Sequence, residues 1–441
     1  MKKRVLICGN RKFIQHLVQV LLPLHLEVET VDSFSDSFRR AEANQPLLLV
    51  LRLGKRDRIH SAICPGLRML ASRTKMQMMV IAEKRDTALV LQAKNLGVSK
   101  TIFEPCNARE LAASANALLL RKKHFACLGG GTGLYHLLSG LKMVPNLSLT
   151  SIVSMSDDGG SSGRLRISHG ILPPGDIRRS LVALSSAPKL MNQVIQHRFK
   201  KGDGFRNHSF GNLFLTALAE IKGSMPEAIR ALSDILHIEG IVLPVTTTLN
   251  DLEATFEDGT VIRGESKIDL AQGRDPNLRI VDLKHRPEAI HNPDAYAAIL
   301  DAHFVTIGPG DLFTSVISNL NIKGIREAIS KTQAKIIYFC NLMTKPGETA
   351  RYTALDHVRE IIKYLGGDYL DYVFLSNTRL SPKAVSAYAR KDQDPVLAEG
   401  LDQIRKITKA QLVVADLGHH NELVRHDSEK IKRQVEHLLR K

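Results

Sequence analysis

Apolar and polar positions alternate regularly through the first 120 residues of the chain. Short apolar runs, each long enough for one buried strand, are separated by stretches in which apolar residues recur every three to four positions, as on one face of a helix. The runs predict five strands, at Arg4–Cys8, Leu26–Val31, Leu47–Leu53, Gln77–Ala82 and Lys100–Phe103. Strands that alternate with helices in this way favour a doubly wound parallel sheet.

This first segment resembles a response-regulator receiver domain in its period and in the Phe-Glu-Pro ending of its last strand. Receiver chemistry needs acidic residues after the first strand to hold magnesium, an aspartate after the third strand to accept phosphate, and a lysine after the fifth. Those places hold Gly9 and Asn10, then Arg52, then Glu104. We therefore predict a degenerate, flavodoxin/receiver-like domain used for docking or dimerisation. An inert appendage without a partner is nearly as good an interpretation.

A chain of 441 residues is longer than a chain that usually folds around one hydrophobic core, which indicates two domains. The helix that starts at Ala108 ends in the basic run 121–123, which suits a helix C-terminus, and a new strand starts at His124. We place the domains at residues 1–122 and 123–441.

The net charge of +16 is distributed unevenly. Residues 1–123 hold 22 Lys and Arg against 10 Asp and Glu, so most of the excess belongs to the first domain. A basic surface of this kind favours a protein partner or self-association over nucleic acid, because no nucleic-acid recognition motif accompanies it. Basic surfaces that are solvated and bind no partner are, however, more common than basic surfaces that bind one.

The expected compartment is the cytoplasm. The apolar runs are far shorter than the ~20 residues of a membrane span, and no signal peptide precedes the first strand. The five cysteines are widely spaced without a CxxC pair, which indicates reduced thiols and not a disulfide framework or a zinc site.

The second domain opens with an apolar strand at His124–Leu128 that runs directly into a glycine-rich loop and an apolar helix. Glycines let the backbone approach a phosphate, and the N-terminus of the following helix adds a partial positive charge. The predicted phosphate-binding residues of this loop are Gly130, Gly131, Thr132 and Gly133. A tight structural turn is an equally good interpretation, because the loop is neither a P-loop nor GxGxxG.

The loop after the next strand, at 156–166, combines carboxylates, small residues and arginines. This is the composition of a site for a metal-bridged diphosphate. Asp157 and Asp158 are the predicted metal ligands, with Mg²⁺ as the possible ion. The predicted phosphate-binding residues are Gly159, Gly160, Ser161, Ser162 and Arg164. Asp176, further on, is at least as well explained as a helix cap as by catalysis.

Later apolar strands end in glycine or polar residues, which meet at one edge of a parallel sheet. The residues predicted to bind the ligand there are Gly308, Gly310, Asn341 and Asn377. The segment Gly308–Gly310 is predicted to form a second anion-binding site. Asn212 is predicted to face the same crevice, although it is also placed to cap a helix. Residues 253–267 are predicted to form a hairpin that lies at the periphery of the domain and has a structural role.

Six motifs in order across residues 124–441 resemble the gluconeogenesis-factor and 2-phospho-L-lactate transferase superfamily. They begin with the sequences GGGTG, DDGGSSGRLR and PPGDIRR, and continue with NHSFGNL, IGPGDLFTS and MTKPGET. The resemblance implies a three-layer α/β/α Rossmann-type domain. It also implies a nucleotide ligand such as UDP-N-acetylglucosamine, in a regulatory protein needed for cell shape on gluconeogenic carbon. The alternative is a transferase that moves a phospholactyl-type group to an acceptor hydroxyl.

Two C-terminal residues are expected to hold such a UDP-sugar. Tyr388 can stack on a uracil or sugar ring, and Arg425 can reach a diphosphate with its planar fork. Equally, Tyr388 packs its helix against the sheet and Arg425 pairs with Asp427 on the surface.

Overall fold

The computed structural model describes residues 4–21, 26–44, 46–53, 76–82, 98–119, 122–202, 204–271, 273–419 and 423–440. The chain divides into two compact units, Met1–Lys122 and Lys123–Lys441. Within the described ranges, every helix falls short of the length and hydropathy that a bilayer span requires. The four described cysteines form no disulfide with one another, and Cys64 lies outside the described residues.

The first unit contains a five-stranded parallel sheet in the order β2-β1-β3-β4-β5. This is the flavodoxin-like order of doubly wound sheets, so the fold class predicted for this part is confirmed. The strands are β1 (Arg4–Cys8), β2 (Glu27–Val31), β3 (Leu48–Leu53), β4 (Gln77–Ala82) and β5 (Lys100–Phe103). The described helices are α1 (Arg11–Leu21), α2 (Phe34–Asn44) and α3 (Ala108–Leu119).

Both faces of this sheet are buried, as the continuous apolar strands predict. Val5 and Ile7 of β1 belong to the apolar cluster on one face, and Leu6 and Cys8 to the cluster on the other. Successive side chains of a strand point to opposite faces, so one short strand supplies both clusters.

An ion pair occupies the place where a receiver carries its phosphoacceptor and lysine. Arg52, near the end of β3, donates from Nε to Glu104 Oε1 at 3.0 Å and from a terminal nitrogen to Oε2 at 3.1 Å. Asn10 accepts the Phe13 N–H and so begins α1. The first unit therefore has a fixed bidentate charge pair where a receiver has a phosphorylation switch.

The second unit is built on a seven-stranded sheet, all parallel, in the order β15-β14-β13-β12-β6-β7-β8. A small antiparallel sheet, β10-β9-β11, accompanies it. The strands are β6 (Lys123–Gly129), β7 (Leu147–Val153), β8 (Ile241–Pro244), β9 (Asp251–Phe256), β10 (Val261–Arg263), β11 (Ile280–Arg286), β12 (Phe304–Ile307), β13 (Lys335–Phe339), β14 (Tyr372–Ser376) and β15 (Gln411–Ala415).

Helices cover the larger sheet and share one apolar cluster with it, which confirms the predicted α/β class. They are α4 (Gly131–Lys142), α5 (Gly160–His169), α6 (Pro174–Leu184), α7 (Lys189–Gln196), α8 (Phe210–Lys222), α9 (Met225–Ile235), α10 (Glu265–Asp269), α11 (Pro293–Leu300), a π-helical turn (Leu312–Ile317), α12 (Ser318–Leu320), α13 (Ile325–Lys331), α14 (Ala354–Leu365), α15 (Pro382–Ala389), α16 (Leu401–Ile407) and α17 (Ser428–Arg440).

The Arg52–Glu104 pair leads to a prediction for the first unit. Incubation with acetyl phosphate should add no phosphate to residues 1–122, because an arginine already paired with a carboxylate stands where an acceptor aspartate is needed. Intact mass and peptide mapping measure this, with a functional receiver domain treated in parallel as the positive control. An acid-labile phosphate on an aspartate of this unit would contradict the prediction.

Candidate functional site

The strand order of the larger sheet creates a crevice between β6 and β12. The chain passes from β6 to β7 and then β8 on one side, while β12 to β15 fill the other side. Ligands of open α/β sheets bind where the strand order reverses, beyond the carboxyl ends of the strands. The glycine-rich loop after β6 and the loop at 308–310 after β12 both lie at this point.

Two glycines of the first loop are required by the backbone. Gly131 has a φ of +64°, in the left-handed region that favours glycine. A Cβ on Gly133 would lie 2.3 Å from the carbonyl oxygen of Pro309. The two loops therefore pack backbone against backbone, which a side chain at position 133 would prevent.

A cavity of about 510 Å³ adjoins these two loops, within the usual size range of small-molecule sites. Part of its lining consists of residues predicted from the sequence, namely Gly130, Gly131, Thr132, Gly133, Asp157, Gly159, Gly310, Asn341, Tyr388 and Arg425. Other lining residues were not predicted as site residues, and they include His136, Asp176, Arg179, Glu265, Ser266, Asp269, Asp311, Ser315, Thr344, Lys345 and His426.

Asp176 holds the glycine-rich loop. Its Oδ2 accepts the Gly131 N–H at 2.7 Å, and its Oδ1 accepts a hydrogen bond from Arg179 at 2.8 Å. The helix cap is Pro173, so the capping interpretation of Asp176 is wrong. One of the backbone N–H groups that were predicted to bind a phosphate therefore donates to a carboxylate instead.

The two adjacent aspartates predicted to bind metal have different environments. Asp157 lines the cavity, and its Oδ1 accepts the Gly159 N–H at 3.0 Å. Burial, and then the nearby Asp176 carboxylate, raises the pKa of Asp157 to about 6. Asp158 lies outside the lining and accepts the Ser266 N–H at 2.8 Å. Of the two predicted metal ligands, Asp157 thus lines the cavity, whereas Asp158 anchors the start of α10.

The hairpin predicted to be peripheral forms part of the site, because the chain that leaves it enters α10 at the cavity wall. Glu265, Ser266 and Asp269 of α10 line the cavity. Burial, followed by the charges of Asp157 and Asp269, raises the pKa of Glu265 to about 9. Glu265 is therefore a neutral carboxyl group at pH 7.

A lysine offsets part of the charge of the acidic cluster on this side. Carboxylate oxygens of Asp269, Asp311 and Glu348 lie within 4.8 Å of one another, a spacing that suits a metal ion. Lys345 Nζ donates to Asp311 at 2.8 Å and also contacts Asp269. Glu348 accepts the N–H groups of Phe313 and Thr314, at the start of the π-helical turn. The lysine ammonium thus already supplies positive charge to this cluster.

Carboxylates outnumber cations along the cavity wall. Apart from the neutral Glu265, the acidic residues are Asp157, Asp176, Asp269 and Asp311, and the basic ones are Arg179, Lys345 and Arg425. An anionic ligand alone would meet net repulsion here, whereas a ligand that carries a divalent cation would not. Hard oxygen donors of this type are those that Mg²⁺ prefers.

Another part of the lining is aromatic and mostly uncharged. It contains His136, Asn341, Tyr388 and His426, with Arg425 beside them. The Tyr388 hydroxyl accepts the Val424 N–H at 3.0 Å, so this tyrosine fixes the segment that carries Arg425. Asp427 pairs with His419, and no ion pair of Arg425 with a described residue is present, so the predicted Arg425–Asp427 surface pair is not formed.

Several residues predicted as ligands lie outside the lining, namely Gly160, Ser161, Ser162, Arg164, Asn212, Gly308 and Asn377. Asn212 is buried in α8, where its Oδ1 accepts from Arg178 at 2.9 Å and its Nδ2 donates to Ser161 at 3.2 Å. Ser209 caps that helix. Arg164 donates to the Arg206 carbonyl. Asn212, Ser161 and Arg164 therefore hold neighbouring segments together, and their assignment as contact residues stays a prediction.

Comparison with known proteins places the second unit in a family. A sequence model of the 2-phospho-L-lactate transferase CofD family matches residues 126–417. The chain is 39% identical over 328 residues to the gluconeogenesis factor of Bacillus subtilis, covering 73% of this chain and 99% of that protein. It is 37% identical over 316 residues to the gluconeogenesis factor of Halalkalibacterium halodurans, covering 72% and 96%.

A solved structure extends the comparison to the fold. The crystal structure of a UPF0052-family protein from Bacillus halodurans is 37% identical and superposes with a TM-score of 0.67. The match covers 72% of this chain and 99% of that chain.

The raised pKa of Glu265 predicts a pH-dependent stability. The native state keeps this proton up to about pH 9, whereas the unfolded chain releases it near the ordinary value of 4.5. Wild-type stability therefore falls as pH rises through this window, by at most about 1.4 kcal/mol per pH unit. Glu265→Gln should stabilise the protein by an amount that grows from pH 5 to pH 9, as measured by urea unfolding.

Glu399→Gln, at an exposed position, is the matched control. A stability difference between Glu265→Gln and wild type that stays constant over this range would show that Glu265 is ionised in the native state.

Proposed function

The chain belongs to the 2-phospho-L-lactate transferase CofD family, together with relatives named gluconeogenesis factor, and on this basis we propose that it is a cytosolic UDP-sugar-binding regulatory protein. Its role would be to adjust carbon flux and cell-wall precursor supply, and so cell shape, during growth on gluconeogenic carbon. The basic first unit would serve as a docking or self-association surface.

The observation that carries the proposal is the mixed lining of one cavity at the switch point of the sheet. Glycine loops, carboxylates and cations suit a diphosphate with its metal ion, and an aromatic, mostly uncharged wall suits a sugar or a base. A nucleotide sugar contains all of these parts in one molecule. The volume of about 510 Å³ is large enough to enclose much of such a ligand.

Mg²⁺ fits the donor set on the charged side, where Asp157 and Asp176 would hold it. When bound, the ion would neutralise the diphosphate and so remove its repulsion from the surrounding carboxylates. Arg179, already paired with Asp176, would turn part of its guanidinium to a phosphate oxygen. Lys345 already pairs with Asp269 and Asp311, so the proposal assigns the ion to Asp157 and Asp176.

The second candidate function is a transferase that moves a phospholactyl-type group from a nucleotide diphosphate to an acceptor hydroxyl. The description of the matching family favours it. The same phosphate and metal groups would serve both functions, so turnover separates them. Incubation with nucleotide diphosphate donors, followed by mass spectrometry, should give no new product if the protein is a sensor.

Calorimetry with UDP-N-acetylglucosamine tests the proposal. Wild type should bind, and Mg²⁺ should strengthen binding. Asp157→Asn should lose the Mg²⁺-dependent gain, because this carboxylate lines the cavity. Asp158→Asn should keep the gain and nearly all of the stability, because its amide oxygen can still accept the Ser266 N–H. Absence of binding by the wild type would reject the function, and equal losses in both variants would reject the assigned metal ligands.

Arg425 and Tyr388 should respond differently to substitution. Arg425→Ala should weaken UDP-N-acetylglucosamine binding by ~1–3 kcal/mol and leave the ligand-free Tm unchanged, since the side chain is exposed. Tyr388→Ala should lower both affinity and Tm, because its hydroxyl holds the Val424 N–H. Arg425→Lys is the control for charge without the planar fork, and it should recover only part of the affinity. Normal binding by Arg425→Ala would place the diphosphate elsewhere.

A further inference from the structure

One helix of the second unit leaves most of its apolar side chains in water. Of the apolar residues of α7, only Ile195 is buried, whereas Leu190, Met191 and Val194 are exposed. Leu190 keeps 70% of its surface exposed. Residues three and four positions apart lie on the same face of a helix. Leu190, Met191 and Val194 therefore form one apolar stripe that faces the solvent.

Aromatic rings continue this apolar surface beyond the end of α7. The ring centroid of His197, which caps the helix, lies 5.2 Å from that of Phe199. The Phe199 centroid in turn lies 5.9 Å from that of Phe205. Phe199 is half-buried, whereas Phe205 is 56% exposed. These contacts place an exposed phenyl ring close to the C-terminal end of α7.

Backbone hydrogen bonds fix the segment that carries this phenyl ring. Phe199 donates its N–H to the His208 carbonyl oxygen at 3.0 Å, and Asn207 donates to the Phe199 carbonyl oxygen at 2.9 Å. Arg164 of α5 donates to the Arg206 carbonyl oxygen at 3.0 Å. The exposed ring therefore belongs to a paired part of the fold and not to a loose loop.

The same stretch of chain is rich in cations. Between residues 188 and 206 there are five of them, all exposed, namely Lys189, Arg198, Lys200, Lys201 and Arg206. Asp203, the single acidic residue of this stretch, lies outside the described residues, and five cations against one carboxylate give a net charge of +4. None of the five cations forms an ion pair with a residue that the structure describes. Their charge is therefore available to an acidic partner.

We propose that the α7 surface, which consists of the exposed side chains of residues 189–206, binds the face of an anionic phospholipid bilayer. Apolar side chains next to lysines and arginines are typical of segments that lie in the headgroup region of a membrane. The apolar groups enter the boundary with the acyl chains, and the cations meet the lipid phosphates. This inference goes beyond the proposed function, because it involves neither the cavity nor a nucleotide.

Other partners match the α7 surface less well. A second copy of the chain, related by a two-fold axis, would place the same five cations opposite one another. Nucleic acid would neutralise the cations but would leave the aliphatic side chains of α7 in water. An anionic bilayer covers both kinds of side chain, and each cation close to its surface strengthens binding by about fivefold.

Co-sedimentation of the full chain with lipid vesicles, without nucleotide, tests this inference. Wild type should bind vesicles of phosphatidylglycerol and phosphatidylcholine in equal parts, and high salt should weaken this binding. It should bind vesicles of phosphatidylcholine alone much more weakly. Lys200→Gln combined with Lys201→Gln should weaken binding to the anionic vesicles by about twenty-fivefold. Leu190→Gln combined with Phe205→Gln should weaken it by about tenfold or more, because two apolar groups no longer leave water.

Matched controls come from exposed positions outside the α7 surface. Lys406→Gln combined with Lys409→Gln removes the same charge, and Val261→Gln removes an exposed apolar side chain. Both control proteins should bind the anionic vesicles as wild type does. All these side chains are exposed, so every variant should keep a Tm close to that of wild type.

A tryptophan probe reports whether the side chain at position 205 enters the lipid. The chain contains no tryptophan, so Phe205→Trp introduces a single indole. Its emission should shift to shorter wavelength when vesicles with phosphatidylglycerol are added, because the indole leaves water. Val261→Trp, on the exposed strand β10, is the control and should show no shift.

Three results would overturn the inference, and none of them affects the proposed function. The first is that wild type does not bind the anionic vesicles. The second is that the variants of the α7 surface bind them as wild type does, which would place the lipid contact elsewhere on the chain. The third is that these variants lose self-association in sedimentation equilibrium while vesicle binding is unchanged, which would assign the α7 surface to a second copy.

Discussion

The contact between the backbone of Gly133 and the carbonyl oxygen of Pro309 is the constraint on which the rest of the site depends. A Cβ at position 133 would lie 2.3 Å from that oxygen, so the loops after β6 and β12 can meet only if this residue is glycine. Because β6 and β12 are adjacent and parallel, both loops leave the same edge of the sheet. The approach of these loops brings α4 and the π-helical turn to one cavity.

Much of the fold follows from the pattern of apolar residues. Strands buried on both faces are continuous apolar runs, and glycine or polar residues mark where they end. The bounds of β1, β4 and β5 were predicted to the residue, and those of β2, β3 and β6 differ by one residue at one or both ends. Residues directly beyond a strand, such as Asn341 and Gly310, could be assigned to the site because parallel strands end together.

The unpredicted part of the site depends on side-chain direction and on contacts distant in sequence. Asp157 and Asp158 are neighbours with the same chemistry, yet one lines the cavity and the other binds the Ser266 N–H, more than one hundred residues away. No local pattern distinguishes them. Asn212 looked suitable as a ligand residue, but its amide is taken up by Arg178 and Ser161. Lys345 lies in the MTKPGET motif but was not predicted as a site residue, because its carboxylate partners come from two other segments.

The surplus of carboxylates explains why an anion site of this kind can work as a sensor. Without a ligand, the cavity relieves its repulsion by retaining protons, as the raised pKa values of Asp157 and Glu265 show, and by placing Asp176 on the Gly131 N–H. A divalent cation reduces the repulsion between the carboxylates and a phosphate group, so that the phosphate can bind. The phosphate in turn supplies oxygen ligands to the cation. Each therefore strengthens the binding of the other by the same factor, as linkage requires. A cavity lined by cations alone would bind free phosphate and many other anions, whereas under the proposed function this one would select a metal-bound diphosphate.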